Sequence, residues 1–459
     1  MKKSSIIKNL SILISFGLIV KVLGLFNKII LSRALEIDGL TYYTKLIPIA
    51  TLFMSIASFS LGPVIMQKVS RNISTIPYSN RDLIKKSFIT ATITASIVSL
   101  VHLSLNYVIC HYLLRMDVLI KPFVFFIPLY YLVSYTAIFK GYFHGHDKMD
   151  IYAIGQLFEQ IIRIVLVYIF IIPQLKISLI NGVIAAILTL SIAELFQNIY
   201  LFIRVLFFTN IKHKTNVKTK YIEIIKPATS LTANRLISSV TMFLEPIIFT
   251  LAFLNTGLSS ALADELYATI YGYSIPLIMT TSFITIAIET AILPQLTYAH
   301  ANNDENKINS IVNKALLYSF ICGAIISLIL FNFSYEIMQL FYNTTKGAYY
   351  VKIMAIPSFI SYFEGVFVSL LIATKNEKRL VAITIITNIL HLILMYILVS
   401  IPQINALGLV ISVSALTSIT PIILCYLAGK KTKIKINLKL ASILILIYIL
   451  LIIFPSLLR

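Results

Sequence analysis

Charged side chains are scarce in this sequence. They make up 12% of its 459 residues, whereas a soluble domain carries about 25%. The remaining polar side chains are too few to cover a globule in water, and the mean hydropathy is +0.91. This composition excludes a soluble enzyme, a disordered chain and a disulfide-rich secreted scaffold. It predicts an all-α, polytopic membrane protein.

Residues and motifs that support metal, redox or catalytic chemistry are also few. The 3 cysteines lie in apolar segments without a CxxC spacing, which indicates neither a disulfide nor a metal site. The motifs HExxH, GxxxxGK[ST] and GxSxG are absent, so nothing points to metalloprotease, ATPase or serine hydrolase chemistry. We therefore expect no enzyme and no cofactor. A coupling ion, Na⁺ or H⁺, stays open.

Acidic residues are outnumbered by basic ones, 18 against 38, giving a formal net charge of +20. Cytoplasmic loops of membrane proteins collect Lys and Arg, so this excess does not require a nucleic-acid partner, and we expect none. Together with bases at the adjoining span ends, the N-terminal tail and the even-numbered loops hold 26 of these bases, and the odd-numbered loops with the C-terminus hold 8. This asymmetry predicts a multi-pass cell-membrane protein with a cytoplasmic N-terminus.

Long apolar runs fill most of the chain. A membrane helix needs about 17–25 apolar residues, and the sequence offers thirteen such segments. No connection between them is long enough for a separate soluble domain. The candidate spans are about 10–31, 42–66, 88–114, 119–139, 151–172, 179–203, 228–254, 266–294, 311–333, 350–373, 380–400, 405–428 and 438–457.

The chain contains an internal repeat. Residues 6–40 and 224–258 align without gaps, and the identities include Lys8 with Lys226. Both copies begin at a predicted cytoplasmic edge, so the repeat is parallel, an arrangement found in transporters. The predicted organisation is an N-terminal six-helix lobe (1–208), a basic cytoplasmic linker (209–226), a C-terminal six-helix lobe (227–430) and an additional transmembrane helix (431–459).

Several bases lie inside predicted spans, where a charge costs about 2.5–3.5 kcal/mol. Lys21 and Lys28 lie seven residues apart on one face of the first span, and no acid lies within one turn of Lys21. Arg235, in the seventh span, has no acid three or four residues away. These bases predict an inter-lobe cavity that attracts anions.

Acidic residues inside spans admit two interpretations. Glu159 and Arg163, four residues apart, form either a structural ion pair between packed helices or part of the cavity. Glu245, in the seventh span, is a further candidate counter-charge. Lys28 is also compatible with a side chain that extends to the membrane interface.

Short motifs in matching spans carry a family resemblance. The chain resembles the multidrug/oligosaccharidyl-lipid/polysaccharide (MOP) exporter superfamily, in its stage V sporulation protein B and polysaccharide flippase branch, which is related to lipid II flippases. The resemblance covers essentially residues 1–430. Its motifs are Lys21–Gly39, Phe139–Met149, Gln156-x-x-Glu159-Gln160-x-x-Arg163, Asn234-Arg235-Leu236, Leu244-Glu245-Pro246 and Leu293-Pro294-Gln295.

The resemblance implies two six-helix lobes in a bacterial cell membrane, around a central V-shaped cavity with alternating access. In flippase members, bases of the first helix bind the lipid-linked pyrophosphate, and Lys21 and Arg33 match those positions. Two departures stand out. Only one span is predicted after the twelfth here, so we do not expect a lipid-tail groove built from a final helix pair. Lys140 also replaces an Arg that relatives often have before Gly-Tyr-Phe.

Our leading hypothesis is a flippase that moves a polyprenyl-pyrophosphate-linked saccharide, such as lipid II, from the inner to the outer leaflet. We expect a monomer whose partners are this substrate and membrane lipids. The expected pyrophosphate-binding residues are Lys21, Lys28, Arg33 and Arg235, and the expected counter-charge or coupling residues are Glu159, Arg163 and Glu245.

Two alternatives remain. The first is a cation-coupled multidrug antiporter of the same fold, but such exporters typically use an acid in the first helix, where this chain has bases. The second is a membrane scaffold that recruits enzymes of envelope or spore-cortex synthesis through its loops.

Overall fold

The computed structural model describes residues 3–74, 80–208, 219–280, 283–374 and 376–432, and these ranges contain helices and no strand. This confirms the predicted all-α class. The predicted last span, 438–457, and most of the basic linker lie outside the described residues.

By its internal contacts the chain divides into two compact units, Met1–Ile247 and Ile248–Arg459. The helices that begin in the first unit are α1 (Lys3–Ala57), α2 (Leu61–Ser74), α3 (Asn80–Tyr107), α4 (Ile120–Val124), α5 (Ile127–Gly145), α6 (Met149–Leu166), α7 (Ile172–Leu175), α8 (Leu179–Phe208) and α9 (Ile222–Leu254).

The second unit contains the end of α9 and nine further helices within its described ranges. They are α10 (Ser260–Ala268), α11 (Ile275–Thr280), α12 (Phe283–Ala301), α13 (Glu305–Asn332), α14 (Ser334–Tyr342), α15 (Ala348–Ser361), α16 (Glu364–Ala373), α17 (Glu377–Val399) and α18 (Leu407–Thr432).

The apolar helices follow the first twelve predicted spans in order. In the described chain, ten are long and apolar enough to cross a membrane, or eleven with the bent pair α4–α5. One of them, Ile19–Ser70, has 52 residues. At about 1.5 Å per residue it is longer than two bilayer cores of about 30 Å, so it accommodates two predicted spans. Glu36, at φ 53°, breaks the helix between them.

Helices α2 and α5 cross closely because glycines line the crossing. A Cβ atom on Gly62 would lie 2.9 Å from the carbonyl oxygen of Ala137. A Cβ atom on Gly141 would in turn collide with the carbonyl oxygen of Gly62. Only glycine permits this approach without moving a backbone. The crossing places the C-terminal part of α5 beside the break between α1 and α2.

The beginning of α9 is attached to the first unit. The Asp82 carboxylate accepts a hydrogen bond from the Thr219 backbone N–H (2.8 Å), and Lys68 pairs with Glu223 (2.8 Å). Ile224 and Ala228 are buried in an apolar cluster formed with α2, α3 and α5. The contact division therefore falls within α9, beyond the predicted linker 209–226.

In the second unit the apolar core lies between α12, α13, α16 and α18. Val312, Val366 and Leu371 are fully buried there. Two acids face the same region: Glu289 and Glu364 lie close enough for their charges to repel each other. Bases dominate the predicted site, so this acidic pair forms a separate feature.

Candidate functional site

The first unit contains all seven of the predicted site residues. Three lie on α1, two on α6 and two on α9: Lys21, Lys28 and Arg33; Glu159 and Arg163; Arg235 and Glu245. The structure brings some of these residues together in two clusters and leaves the others apart.

The first cluster consists of Lys28, Glu159, Arg163 and Glu194, and we call it the paired cluster. Arg163 Nη2 forms an ion pair with Glu159 Oε1, and the two side chains are 22% and 9% exposed. The Lys28 charge interacts with Arg163, and Glu194 interacts with both Arg163 and Glu159. This cluster contains as many acids as bases.

Side chains of neighbouring helices orient the acids of the paired cluster. Glu194, on α8, accepts a hydrogen bond from the Thr136 hydroxyl of α5. Asn198 Nδ2 donates to the same Thr136 oxygen (2.9 Å) and to the Glu194 backbone carbonyl (2.8 Å). Buried acids require such partners, because an unsatisfied charge in an apolar interior is strongly unfavourable.

Lys21 lies on the face of α1 that carries Lys28, because seven residues complete almost two helical turns. It is exposed, and it has no ion-pair or hydrogen-bond partner among the described residues. Between the two lysines, α1 packs on α6 at Gly24, where a Cβ atom would lie 3.6 Å from Gln160 Oε1. The lysine face of α1 is therefore adjacent to the paired cluster.

The second cluster contains Lys140, Arg235, Ser58, Tyr152 and His144, and we call it the open cluster. Arg235 Nη1 donates to Ser58 Oγ at 3.3 Å, and Lys140 Nζ lies 5.3 Å from the centroid of the Tyr152 ring. The charges of Lys140 and Arg235 repel each other. No carboxylate in the described chain forms an ion pair with either base.

His146, in the loop between α5 and α6, carries no positive charge near the open cluster. Burial lowers the pKa of His146, although its Nδ1 hydrogen bond to the Tyr142 carbonyl oxygen (2.9 Å) opposes this effect. His146 is therefore neutral at pH 7. The positive charge of the open cluster comes from Lys140 and Arg235.

The two clusters lie at different depths along α6. Tyr152 belongs to the open cluster and Arg163 to the paired cluster. At about 1.5 Å per residue, roughly 16 Å of helix separates them. An anion bound at one cluster would therefore have to move to reach the other.

Two predicted residues lie apart from these clusters. Arg33 is exposed on α1, rotated by about 140° from Lys28 around the helix axis. Glu245 is buried and lies about 15 Å further along α9 than Arg235. Glu245 is thus too distant to act as a direct counter-charge for Arg235.

Lys140 and Lys45 are not among the predicted site residues. In the structure Lys45 is completely buried and interacts with neighbouring groups. In the sequence it lies close to the start of a predicted span, as an interfacial base does. The only sequence signal at Lys140 is its departure from the family motif. Within the described part of the chain, no three His, Cys, Asp or Glu residues are grouped to hold a metal ion.

The chain matches two known protein families. Residues 6–300, more than half of the chain, match the family described as polysaccharide biosynthesis protein. The chain belongs to this family. Residues 238–397 also match the MatE family.

Two curated relatives come from Bacillus subtilis (strain 168). Stage V sporulation protein B is 22% identical over 445 residues, covering 95% of this chain and 85% of the relative. Sporulation protein YkvU is 21% identical over 398 residues, covering 84% and 86% respectively. The similarity to both proteins extends along most of their length.

Solved structures share the fold. An inward-facing multidrug resistance MATE family transporter of the MOP superfamily superposes with a TM-score of 0.72 at 14% identity, covering 90% of this chain and 94% of that one. A MOP superfamily transporter from Pyrococcus furiosus, described as having a binding pocket of reverse polarity, gives a TM-score of 0.62 at 14% identity over 93% and 95%. The described helices and this fold are those of a multi-pass membrane protein, and both solved structures are of transporters.

Proposed function

We propose that this transporter moves a polyprenyl-pyrophosphate-linked saccharide, lipid II or another cell-envelope glycan precursor, from the inner to the outer leaflet by alternating access. The observation that carries the proposal is the lysine face of α1. Lys21 and Lys28 present two positive charges on one side of an apolar helix, next to the Arg163 guanidinium. A pyrophosphate is a compact anion that such a face attracts.

The paired cluster provides a way to accept and release this anion. Glu159 and Glu194 hold Arg163 while the site is empty, and Lys28 lies next to that guanidinium. A pyrophosphate beside Lys28 competes with the carboxylates for Arg163. When the site opens to the other side, the carboxylates recapture Arg163 and favour release. The polyprenyl tail stays in the bilayer throughout, so only the polar headgroup needs a protein path.

The comparisons support a saccharide-linked substrate only through the names of the matching family and relatives. The matching family is described as polysaccharide biosynthesis protein, and a relative is named for sporulation. The MATE structures are 14% identical or less and show the fold rather than the substrate. A cation-coupled multidrug antiporter is disfavoured, because α1 carries bases and has no acid between residues 16 and 35.

We further propose that the N-terminus is cytoplasmic and that the transporter acts as a monomer. The bias of Lys and Arg toward the N-terminal tail and the even-numbered loops supports this orientation. In this orientation the open cluster, which lies near the end of α5, is on the cytoplasmic side of the paired cluster.

Complementation tests the proposal. A strain depleted of its lipid II flippase would express this protein, and lipid II in the outer leaflet would be measured directly. We expect wild type to restore it, and we expect K21A/K28A to fail although the protein is inserted normally. Lys176→Ala, an exposed lysine between α7 and α8, is the matched control. A wild-type protein that restores neither lipid II nor another lipid-linked glycan would overturn the proposal.

A further inference from the structure

Lys140 and Arg235 are close together without a neutralising acid. Arg235 donates only to a neutral hydroxyl among the contacts described for it, at 3.3 Å from Ser58. Lys140 lies over the face of the Tyr152 ring, which attracts cations weakly. Both side chains are exposed, so solvent rather than a carboxylate offsets their mutual repulsion, and an anion has access to both bases.

The fold holds these bases in place. Gly62 and Gly141 let α2 and α5 approach to backbone contact, and Lys140 directly precedes the second glycine. On the other side, Ser239 on α9 donates to Ser55 Oγ of α1 at 2.8 Å. Arg235 is one turn before Ser239, so this hydrogen bond fixes it beside Ser58. The site is therefore formed by packed helices.

A further polar atom of the open cluster lacks a partner. His144 Nε2 is out of contact with solvent and has no hydrogen-bond partner in the described chain. The His144 ring meets Tyr152 edge-on, with centroids 5.4 Å apart at 86°, and its charge environment includes Lys140. Buried polar atoms are rarely left unsatisfied, so this atom adds a polar group beside the two bases without itself being open to a ligand.

We infer that Lys140 and Arg235 form a second phosphate-binding subsite, distinct from the lysine face of α1, that binds the phosphate group of a lipid headgroup. The inference rests on the proposed function and deepens it. Arg235 supplies a planar fork suited to phosphate oxygens, and Lys140 supplies a point charge. In the proposed orientation this subsite lies on the cytoplasmic side of the paired cluster, about 16 Å from Arg163 along α6. The pyrophosphate therefore binds here before it reaches Lys28.

Native mass spectrometry of the purified full chain tests the subsite. The probes are a polyprenyl pyrophosphate, phosphatidylglycerol and inorganic phosphate, each titrated against wild type, Lys140→Gln, Arg235→Gln and the double variant. Lys148→Gln, an exposed lysine of the loop after α5, is the matched control. The melting temperature of each variant is recorded without ligand.

We expect each single variant to bind polyprenyl pyrophosphate about tenfold more weakly or worse, with Lys148→Gln unchanged. The double variant should lose less than the product of the single losses, because both bases hold one group. Arg235→Lys should retain part of the affinity. The melting temperature should stay level or rise, since removing either charge relieves repulsion, whereas a purely structural role would lower it.

The outcomes separate this inference from the proposed function. Unchanged binding of polyprenyl pyrophosphate by Lys140→Gln overturns the subsite and leaves the proposed function standing. A loss of binding accompanied by a fall in melting temperature has the same consequence. Equal binding of phosphatidylglycerol or inorganic phosphate, with the same dependence on Lys140 and Arg235, keeps the subsite and counts against the function. A wild-type protein that binds none of the probes overturns both.

Discussion

In the paired cluster Arg163 is held by Glu159 and faces Glu194, while in the open cluster Arg235 contacts a serine hydroxyl and is repelled by Lys140. Both clusters lie in the first unit, and both include residues of α6. The first contains as many acids as bases, whereas the second contains two bases and no acid. Opposite consequences for stability follow from this difference.

Removing one partner of a buried ion pair leaves the other charge uncompensated, which is strongly destabilising. Removing an unpaired cation leaves nothing uncompensated. Measuring stability and ligand binding on the same variants therefore distinguishes residues that stabilise the fold from residues that bind a ligand.

The largest effect is expected for Glu159→Gln. It leaves the mostly buried Arg163 guanidinium without its carboxylate, and we expect a loss of about 3 kcal/mol. Thermal unfolding of the purified protein in detergent would measure it. The double variant E159Q/R163Q should recover most of the loss, because no unpaired charge remains. A double variant as unstable as the single one would show that the ion pair is not what stabilises this region.

A slightly smaller loss is expected for Gly141→Ala. The added methyl group collides with the backbone of Gly62, and such overpacking costs about 1–3 kcal/mol. It should also separate Lys140 from Arg235 and weaken phosphate binding at the open cluster. Gly17→Ala is the control, since a Cβ atom there has no neighbour within 4 Å. Similar melting temperatures for the two variants would contradict the described crossing of α2 and α5.

Asp82→Asn measures how much an ion pair contributes to stability when its carboxylate is more exposed than that of Glu159. Asp82 accepts from the Thr219 N–H and from Lys86 Nζ (2.8 and 3.0 Å), and its side chain is 23% exposed. We expect a loss of about 1 kcal/mol, well below that of Glu159→Gln, because the Lys86 ammonium keeps its hydrogen bond to the Thr219 backbone carbonyl oxygen. The measurement is again thermal unfolding. A loss equal to that of Glu159→Gln would mean that this remaining hydrogen bond does not compensate the Lys86 charge.

The smallest change in stability is expected for Arg235→Gln. The Ser58 hydrogen bond is replaceable, and repulsion by Lys140 disappears, so the free energy of unfolding should change by less than about 0.5 kcal/mol. Thermal unfolding would be compared with that of Glu159→Gln in the same detergent. A loss as large as that of Glu159→Gln would remove the distinction between the two clusters.

Hydropathy and charge spacing predict the helical class and the first twelve spans, because both the class and the spans depend on local sequence. The Glu159–Arg163 pair also follows from helical spacing alone. The convergence of Lys140 and Arg235 could not be predicted, since it depends on a crossing between Gly62 and Gly141, far apart in the chain. The break at Glu36 had no glycine or proline to indicate it.

Reconstituted proteoliposomes provide the most direct test of pyrophosphate recognition by the first unit. Purified protein would be inserted into vesicles with a labelled polyprenyl-pyrophosphate saccharide, and transfer between leaflets would be followed by quenching from outside. We predict transfer by wild type and by Lys176→Ala, and none above empty vesicles for K21A/K28A. Undiminished transfer by K21A/K28A would contradict the assignment of the lysine face of α1 to the pyrophosphate.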